Sequence, residues 1–149
     1  MSFYTILRFF HVLLVALYVG SFTAIAFLWI RSRQLNDPAA RLPYIDAAVS
    51  ISQRLTTMAG SILLLVGILM IINWPGVLGY GVLFYIKISI GVLLVAVSHI
   101  AHAMAKRARD ALAAGRTDAR AERFVDLTVR IGPAIAFIIV FLGVMVSHG

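Results

Sequence analysis

The chain has 149 residues, 62% of them hydrophobic and 13% charged, with a mean hydropathy of +0.99. A soluble domain of this length carries about twice that share of charge and cannot hide so much apolar surface from water. The chain contains no cysteine, which excludes disulfides, thiol catalysis and cysteine-ligated zinc or iron–sulfur centres. The composition therefore predicts an integral membrane protein in contact with the lipid bilayer.

Four apolar segments are long enough to cross a bilayer, because a hydrocarbon core of about 30 Å needs about 20 helical residues. Their length and their richness in Leu, Ala and Ile, without strict alternation, predict helices rather than strands. We therefore predict a single all-α domain, 1–149, that forms a four-transmembrane-helix bundle with up-down-up-down topology. The predicted helices run from about 4 to 30, 55 to 74, 81 to 105 and 127 to 147.

The connections between the predicted helices differ in length and chemistry. Residues 31–54 and 106–123 are predicted as long polar loops, whereas residues 73–80 form a tight turn that contains Pro75 and Gly76. Within the loops, residues 46–53 are expected to add one or two helical turns to the second helix, and both ends of 106–123 are expected to be helical. At the start of the fourth helix, Asp126 and Arg130 lie four residues apart, and this spacing predicts an ion pair between them.

The net charge of +7 is distributed unevenly along the chain. Eleven of the 13 Lys and Arg residues, and all six acidic residues, lie in or beside the two long loops. The positive-inside rule then places these loops in the cytoplasm and both termini outside, on the periplasmic side of a bacterial inner (plasma) membrane. Arg8 and Lys87 are the two basic residues that this rule does not explain. Nucleic acid is not an expected partner, because the basic residues are mixed with acidic ones and carry no motif.

Ionisable side chains within the predicted spans are candidates for function, because placing them in a bilayer is costly. His11 and Lys87 each lie about 10 Å into a helix that runs from outside to inside, so we expect them at one level in the outer half. His99 lies about 18 Å deeper than Lys87. His11 and His99 therefore cannot ligate the same metal ion.

The helical spacing also predicts which side chains share a face. On the first helix this face carries Tyr4, Arg8, His11, Tyr18 and Phe22. On the third, it carries Lys87, Gly91, Ser98 and His102 and turns His99 away.

We interpret His11 and Lys87 as the lining of an outer-half pocket. A neutral histidine is a good haem or metal ligand, and a cation such as Lys87 or Arg8 suits a carboxylate-bearing ligand such as a porphyrin. In the alternative interpretation, His11 is hydrogen-bonded within the bundle and Lys87 extends to the lipid headgroups.

Short motifs of the chain resemble the CopD-like and HemJ-like four-helix membrane proteins. His11 is followed by Tyr18 and Gly20, similar to the H-x6-[W/Y]-x-G opening of that superfamily. The HemJ pattern is not complete. HemJ proteins have an acidic residue directly before the proline of helix four, and this chain has Gly132 at that position. The chain thus resembles a relative within the superfamily rather than a clear HemJ protoporphyrinogen oxidase. Further similar segments are Arg54-Leu55, Tyr85-Ile86-Lys87, Glu122-Arg123 and Gly132-Pro133.

The resemblance implies a compact bundle that binds haem b and, if the chain is an enzyme, a HemJ-like membrane oxidoreductase. It implies that His11 and Lys87 are the essential residues, with His11 as the metal ligand. We expect Arg8 and Tyr18 to complete the cofactor-binding set. Two other functions remain open: CopD-like permeation of copper or a small solute, and a structural or anchor subunit of a membrane complex. A homo-oligomer or a membrane partner subunit also remains open.

Overall fold

The computed structural model of the protein describes the backbone of residues 2–148 and the side chains of residues 2–145. Almost all of this part is helical, and it contains no strand. A π-helical segment (Ser52–Thr57) joins α2 to α3 without a break, and a 3-10 turn (Pro75–Gly79) precedes α4. The α-helices are α1 (Phe3–Arg33), α2 (Pro38–Ile51), α3 (Met58–Asn73), α4 (Val82–Ala113) and α5 (Ala119–His148).

Four helical units are long and apolar enough to cross a membrane: α1, the continuous helix Pro38–Asn73, α4 and α5. The predicted all-α four-helix bundle is thereby confirmed, and the chain is an integral membrane protein. α1 packs against α2, α3 and α5, and α4 packs extensively against α5. α3 and α4 follow each other in the chain, yet their backbones come close at few positions.

The bundle has two chemically different ends. The end that holds the connections 34–37 and 114–118 carries most of the charged side chains and is named the basic end. The opposite end, with the start of α1 and the 74–81 turn, is named the turn end.

Helix occupies much of the two segments predicted as loops, 31–54 and 106–123. α2 begins at Pro38, whose ring suits the first helical position, and the Asp37 carboxylate accepts a hydrogen bond of 3.0 Å from the Ala39 N–H. α4 continues to Ala113 and is about 48 Å long, which exceeds a hydrocarbon core of about 30 Å. The helices therefore project beyond the bilayer, and the loops are short.

The connection between α4 and α5 is a tight turn. Gly115 has a φ of 69°, a left-handed conformation that favours glycine at the end of a helix. The Asp118 carboxylate then accepts a hydrogen bond of 3.0 Å from the Ala121 N–H at the start of α5. This hydrogen bond and the nearby Arg107 guanidinium lower the pKa of Asp118.

The most buried apolar core lies in the basic half, around the fully buried Trp29. A second cluster fills the middle of the bundle, and most other large apolar side chains of the spans face outward, as expected for contact with lipid. The basic-half core contains Ile25, Ala26, Trp29, Ile45, Ala48, Val49, Ala105, Ala108, Leu112, Ala121, Val125 and Val129. The middle cluster contains Tyr18, Phe22, Ala59, Leu94, Val95 and Ala136.

A buried ion-pair cluster joins α1, α2 and α5 beside Trp29. Glu122 is only 6% exposed and accepts hydrogen bonds from Arg33 and, at 2.9 Å, from Arg41. One turn along α5, Asp126 accepts a hydrogen bond of 2.6 Å from Trp29 Nε1 and lies 3.5 Å from Arg33.

The ion pair predicted between Asp126 and Arg130 is wrong: it is absent from the ion pairs of the described residues. Asp126 points instead into the bundle, towards α1. The physical reason is that Trp29 and Arg33 satisfy this carboxylate in a half-buried site, whereas Arg130 is exposed.

We expect Glu122→Gln to lower the free energy of unfolding by about 3 kcal/mol, because it removes the negative charge between two guanidinium groups in a buried site. Chemical unfolding in a mild detergent measures the change. Asp110→Asn is the matched control, since Asp110 is itself exposed, pairs with its neighbour Arg109, and should change stability by less than about 1 kcal/mol. Equal stability losses in the two variants would contradict the structural role of Glu122.

We expect Gly132→Ala to destabilise the bundle by about 1–3 kcal/mol, because a Cβ at residue 132 would overlap the ring of Phe22 on α1. Gly91→Ala is the control, since a Cβ there meets no other side chain within 4 Å. Alanine is the better helix former, so the control should be neutral or slightly stabilising. Thermal unfolding of both variants checks the prediction, and an unchanged Gly132→Ala variant would contradict it.

Candidate functional site

His11 and Lys87, predicted to share a level, do lie in one layer near the turn end. A Cβ on Gly67 of α3 would lie 4.0 Å from His11 Cε1, and a Cβ on Gly143 of α5 would lie 3.2 Å from Lys87 Nζ. Lys87 is also close enough to His11 to act on it electrostatically. These four residues, one from each span, are named the turn-end layer.

The imidazole of His11 has an unusual environment within this layer. Its Nδ1 is buried and has no hydrogen-bond partner among the described residues. Buried polar atoms are nearly always paired with protein or ordered water, so an orphaned one needs an explanation. His11 Nδ1 is therefore a buried imidazole nitrogen whose hydrogen-bonding capacity the described residues leave unmet.

Tyr18 and Arg8, the other two predicted site residues, lie on either side of the layer. Tyr18 is about 10 Å deeper than His11 and is buried, and its hydroxyl donates a hydrogen bond of 3.2 Å to the Leu94 carbonyl. Tyr18 therefore bounds the turn-end layer on the side that faces the middle of the bundle. Arg8 is exposed one turn from His11, towards the turn end, and does not enter the layer.

The layer is least covered between α3 and α4. The contacts between these helices include Gly60 with Val95 and the hydrogen bond of 3.2 Å between Ser61 Oγ and His99 Nε2, both near the middle of the bundle. Few other close approaches join the two helices. A ligand could therefore reach His11 and Lys87 from this side, through the lipid-facing gap.

The turn-end layer offers one imidazole and one amine as donor groups. No group of three or more His, Asp or Glu side chains is gathered anywhere in the described residues. Gly67 and Gly143 have no side chains, so backbone lies beside the His11 imidazole and the Lys87 amine at these two positions.

A cavity of about 20 Å³, which the sequence analysis missed, lies in the basic half, and His102 is one of the residues that line it. His102 Nδ1 is buried and also lacks a partner among the described residues. Apolar side chains from α1 and α5 form part of the wall. The hydroxyl-bearing residues of the lining are Ser52, Thr56, Ser98 and Thr128.

The π-helical segment places two of these hydroxyl groups. Ser52 and Thr56 are buried and line the cavity, while the Thr57 hydroxyl donates to the carbonyl groups of Gln53 and Ser52 at 2.7 and 3.1 Å. π-helical turns are rare overall, and those that do occur often lie at functional sites. The sequence shows the four-residue spacing of Ser52 and Thr56, but nothing in it reveals the wider turn.

His99 differs from the other two described histidines. Its Nδ1 donates a hydrogen bond of 2.8 Å to the Val95 carbonyl, and its Nε2 lies 3.2 Å from Ser61 Oγ. Both ring nitrogens are therefore paired. His99 is exposed, whereas Ser98 and His102 face the cavity, which agrees with the face that the helical spacing predicts.

Three comparisons with known proteins give no relative of this chain. No family model, no curated protein and no solved structure matches it. The resemblance to CopD-like and HemJ-like proteins therefore stays a prediction. Function has to be inferred from the turn-end layer and the basic-half cavity themselves.

Proposed function

We propose that this membrane protein binds haem b or a related porphyrin at the turn-end layer, with His11 as an axial ligand. The observation that carries the proposal is the buried His11 Nδ1, which finds no hydrogen-bond partner in the described part of the chain and lies in one layer with Lys87. A neutral imidazole nitrogen with a free lone pair is a common haem ligand. Bound haem would supply one-electron redox chemistry, so the proposed role is that of a HemJ-like redox protein.

Lys87 and Arg8 would bind the acidic groups of the porphyrin. Lys87 Nζ lies beside Gly143, where an added Cβ would come within 3.2 Å of it. A propionate beside this ammonium would make a charge-assisted hydrogen bond, and a neutral Lys87 amine would instead supply a sixth ligand. Arg8 is exposed at the turn end and would meet a carboxylate that extends to the lipid headgroups.

Purified protein supplemented with haem should show a Soret band that His11→Ala abolishes, because the variant lacks the axial nitrogen. His99→Ala is the matched control, since both nitrogens of His99 are already paired outside the layer. Lys87→Met should retain the band and bind haem about tenfold more weakly, as expected for the loss of one hydrogen bond to a charged group. Absorption spectra during a haem titration measure all three effects.

The haem proposal would be contradicted by the absence of a Soret band in the supplemented wild-type protein. It would also be contradicted if His11→Ala and His99→Ala bound haem equally well. Either result would contradict haem binding but not the four-helix fold, because the core residues that join the helices do not include His11.

A second candidate function is permeation of copper or a small solute. It is favoured by polar groups at two levels of the bundle, the turn-end layer and the basic-half cavity. Tyr18 and Phe22 are buried between these levels, so passage would require them to move. Permeation predicts that His11→Ala alters uptake without changing any pigment, and unchanged uptake in a deletion strain would count against it.

We also infer that the protein resides in a bacterial inner membrane with its basic end in the cytoplasm, since the positive-inside rule favours that orientation. The absence of native cysteine allows single cysteines to report sidedness. Arg116→Cys, at the exposed basic end, should resist a membrane-impermeant maleimide in intact cells, and Gly79→Cys, in the exposed turn, should react. Lysed cells provide the control, in which both should react. The reverse pattern in intact cells would overturn the orientation.

A further inference from the structure

Two contacts fix how the continuous helix Pro38–Asn73 lies beside α4. Ser61 Oγ lies 3.2 Å from His99 Nε2, and towards the basic end Asp46 Oδ1 lies 3.7 Å from Arg109 Nε. The two helices run in opposite directions, so residues 47–60 lie opposite residues 100–108 between these contacts. α2 and the π-helical segment pack against α4 along this interval.

Lys106 lies on the side of α4 that carries both contacts. It is seven residues beyond His99 and three before Arg109, and these spacings return a side chain to nearly the same face of a helix. Lys106 is exposed and takes part in none of the ion pairs of the described residues. Its ammonium group is therefore available at the junction of α4 with α2 and the π-helical segment.

The opposing helix supplies polar groups on the side that faces α4. Ser50 and Gln53 follow Asp46 by four and seven residues, so they share the face with which Asp46 contacts α4. Both are exposed, and so is the next residue, Arg54. Arg54 is likewise missing from the ion pairs found in the described part of the chain. A hydroxyl, an amide and two cations are thus placed around one junction.

Arg54 and Lys106 also mark the depth at which two apolar spans end. Residues 55–86 and 88–105 contain no Lys, Arg, Asp or Glu. Arg54 and Lys106 are therefore the first charged residues that these spans present on leaving the bilayer towards the basic end. Long basic side chains at this depth reach the lipid headgroups.

The acidic residues of the same two helices are already paired. They are Asp46 and Asp110, and both contact Arg109, further towards the basic end. The junction at Arg54 and Lys106 is therefore positively charged at headgroup level. Basic pockets between membrane helices attract the headgroups of anionic lipids, so this junction is matched to them in charge and in depth.

We propose that this junction binds the phosphate group of an anionic phospholipid from the leaflet at the basic end. The site, named the phosphate groove, consists of Ser50, Gln53, Arg54 and Lys106. The two cations donate charge-assisted hydrogen bonds to the phosphate oxygens, and the Gln53 amide and the Ser50 hydroxyl supply further donors. A headgroup with net negative charge is favoured over a zwitterionic one, because the cationic group of the latter offsets the attraction. This site does not depend on haem at the turn-end layer.

The surface beside the phosphate groove suits the acyl chains of such a lipid. Met58 and Ile62 lie about one and two turns from Arg54 towards the turn end, and they are 58% and 44% exposed. A lipid with its phosphate in the groove can therefore lay its chains along apolar side chains of α3.

Native mass spectrometry of the purified protein in a mild detergent tests the proposal. The probe is an equimolar mixture of phosphatidylglycerol and phosphatidylcholine with the same acyl chains, so that only the headgroups differ. The wild-type protein should retain phosphatidylglycerol preferentially. Lys106→Met and Arg54→Met should each lower this preference about fivefold, as expected for the loss of one basic residue at an anionic headgroup. Inorganic phosphate should not compete, because it has no acyl chains.

Arg123→Met and Arg130→Met are the matched controls. Both residues are exposed on α5, and neither belongs to an ion pair of the described residues. Each control therefore removes the same charge from another helix of the bundle, and we expect it to keep the lipid preference. Thermal unfolding is the fold check, and all four variants should unfold like the wild-type protein, because every exchanged residue is exposed.

Equal retention of the two lipids by the wild-type protein would overturn the phosphate groove, and this result requires no variant to fold. The groove would also be overturned if the α5 controls lost the preference as strongly as Lys106→Met and Arg54→Met, since net charge alone would then explain it. Displacement of phosphatidylglycerol by millimolar inorganic phosphate would show a site for free anions instead of a lipid site.

Discussion

The double ion pair of Glu122 with Arg33 and Arg41 sets the geometry of the basic end. It joins α1, α2 and α5 at a point where the carboxylate is almost fully buried. A buried carboxylate without a cation would be strongly unfavourable, so each helix that supplies a partner is held at a fixed register. Trp29 packs beside this cluster and is itself tied to α5 through Asp126. The most buried apolar core of the chain forms around this point.

The turn end lacks a comparable cluster among the described residues, and this difference divides the bundle into two regions. Near the basic end, α2 and the π-helical segment pack against α4, whereas α3 beyond them makes few close approaches to it. α3 and α4 thus separate towards the turn end. The cavity lies in the tightly packed half, and His11 with Lys87 lies in the half where α3 and α4 make few close approaches.

The sequence was sufficient to predict the four spans, because length and hydropathy alone decide which segments can cross a bilayer. It also placed His11 and Lys87 at one level, since helix rise converts residue number into depth. It predicted the helical turns over 46–53 but not the start of α2 at Pro38, because Pro38 and the charges around it are typical of loops as well as of helix starts. The partner of Asp126 and the π-helical turn depend on packing between helices distant in sequence, which local spacing does not encode.

The hydrogen bonding and position of the histidines in the spans indicate that the turn-end layer and the cavity are separate sites. Of the three whose side chains are described, His99 has both ring nitrogens paired, whereas His11 and His102 each keep a buried Nδ1 without a partner. Tyr18 lies between the two, and its hydroxyl is held by the Leu94 carbonyl. A single ligand could not reach both nitrogens past this ring without disrupting the middle cluster of the core. The two unpaired nitrogens, on opposite sides of the buried Tyr18 ring, therefore belong to two separate sites.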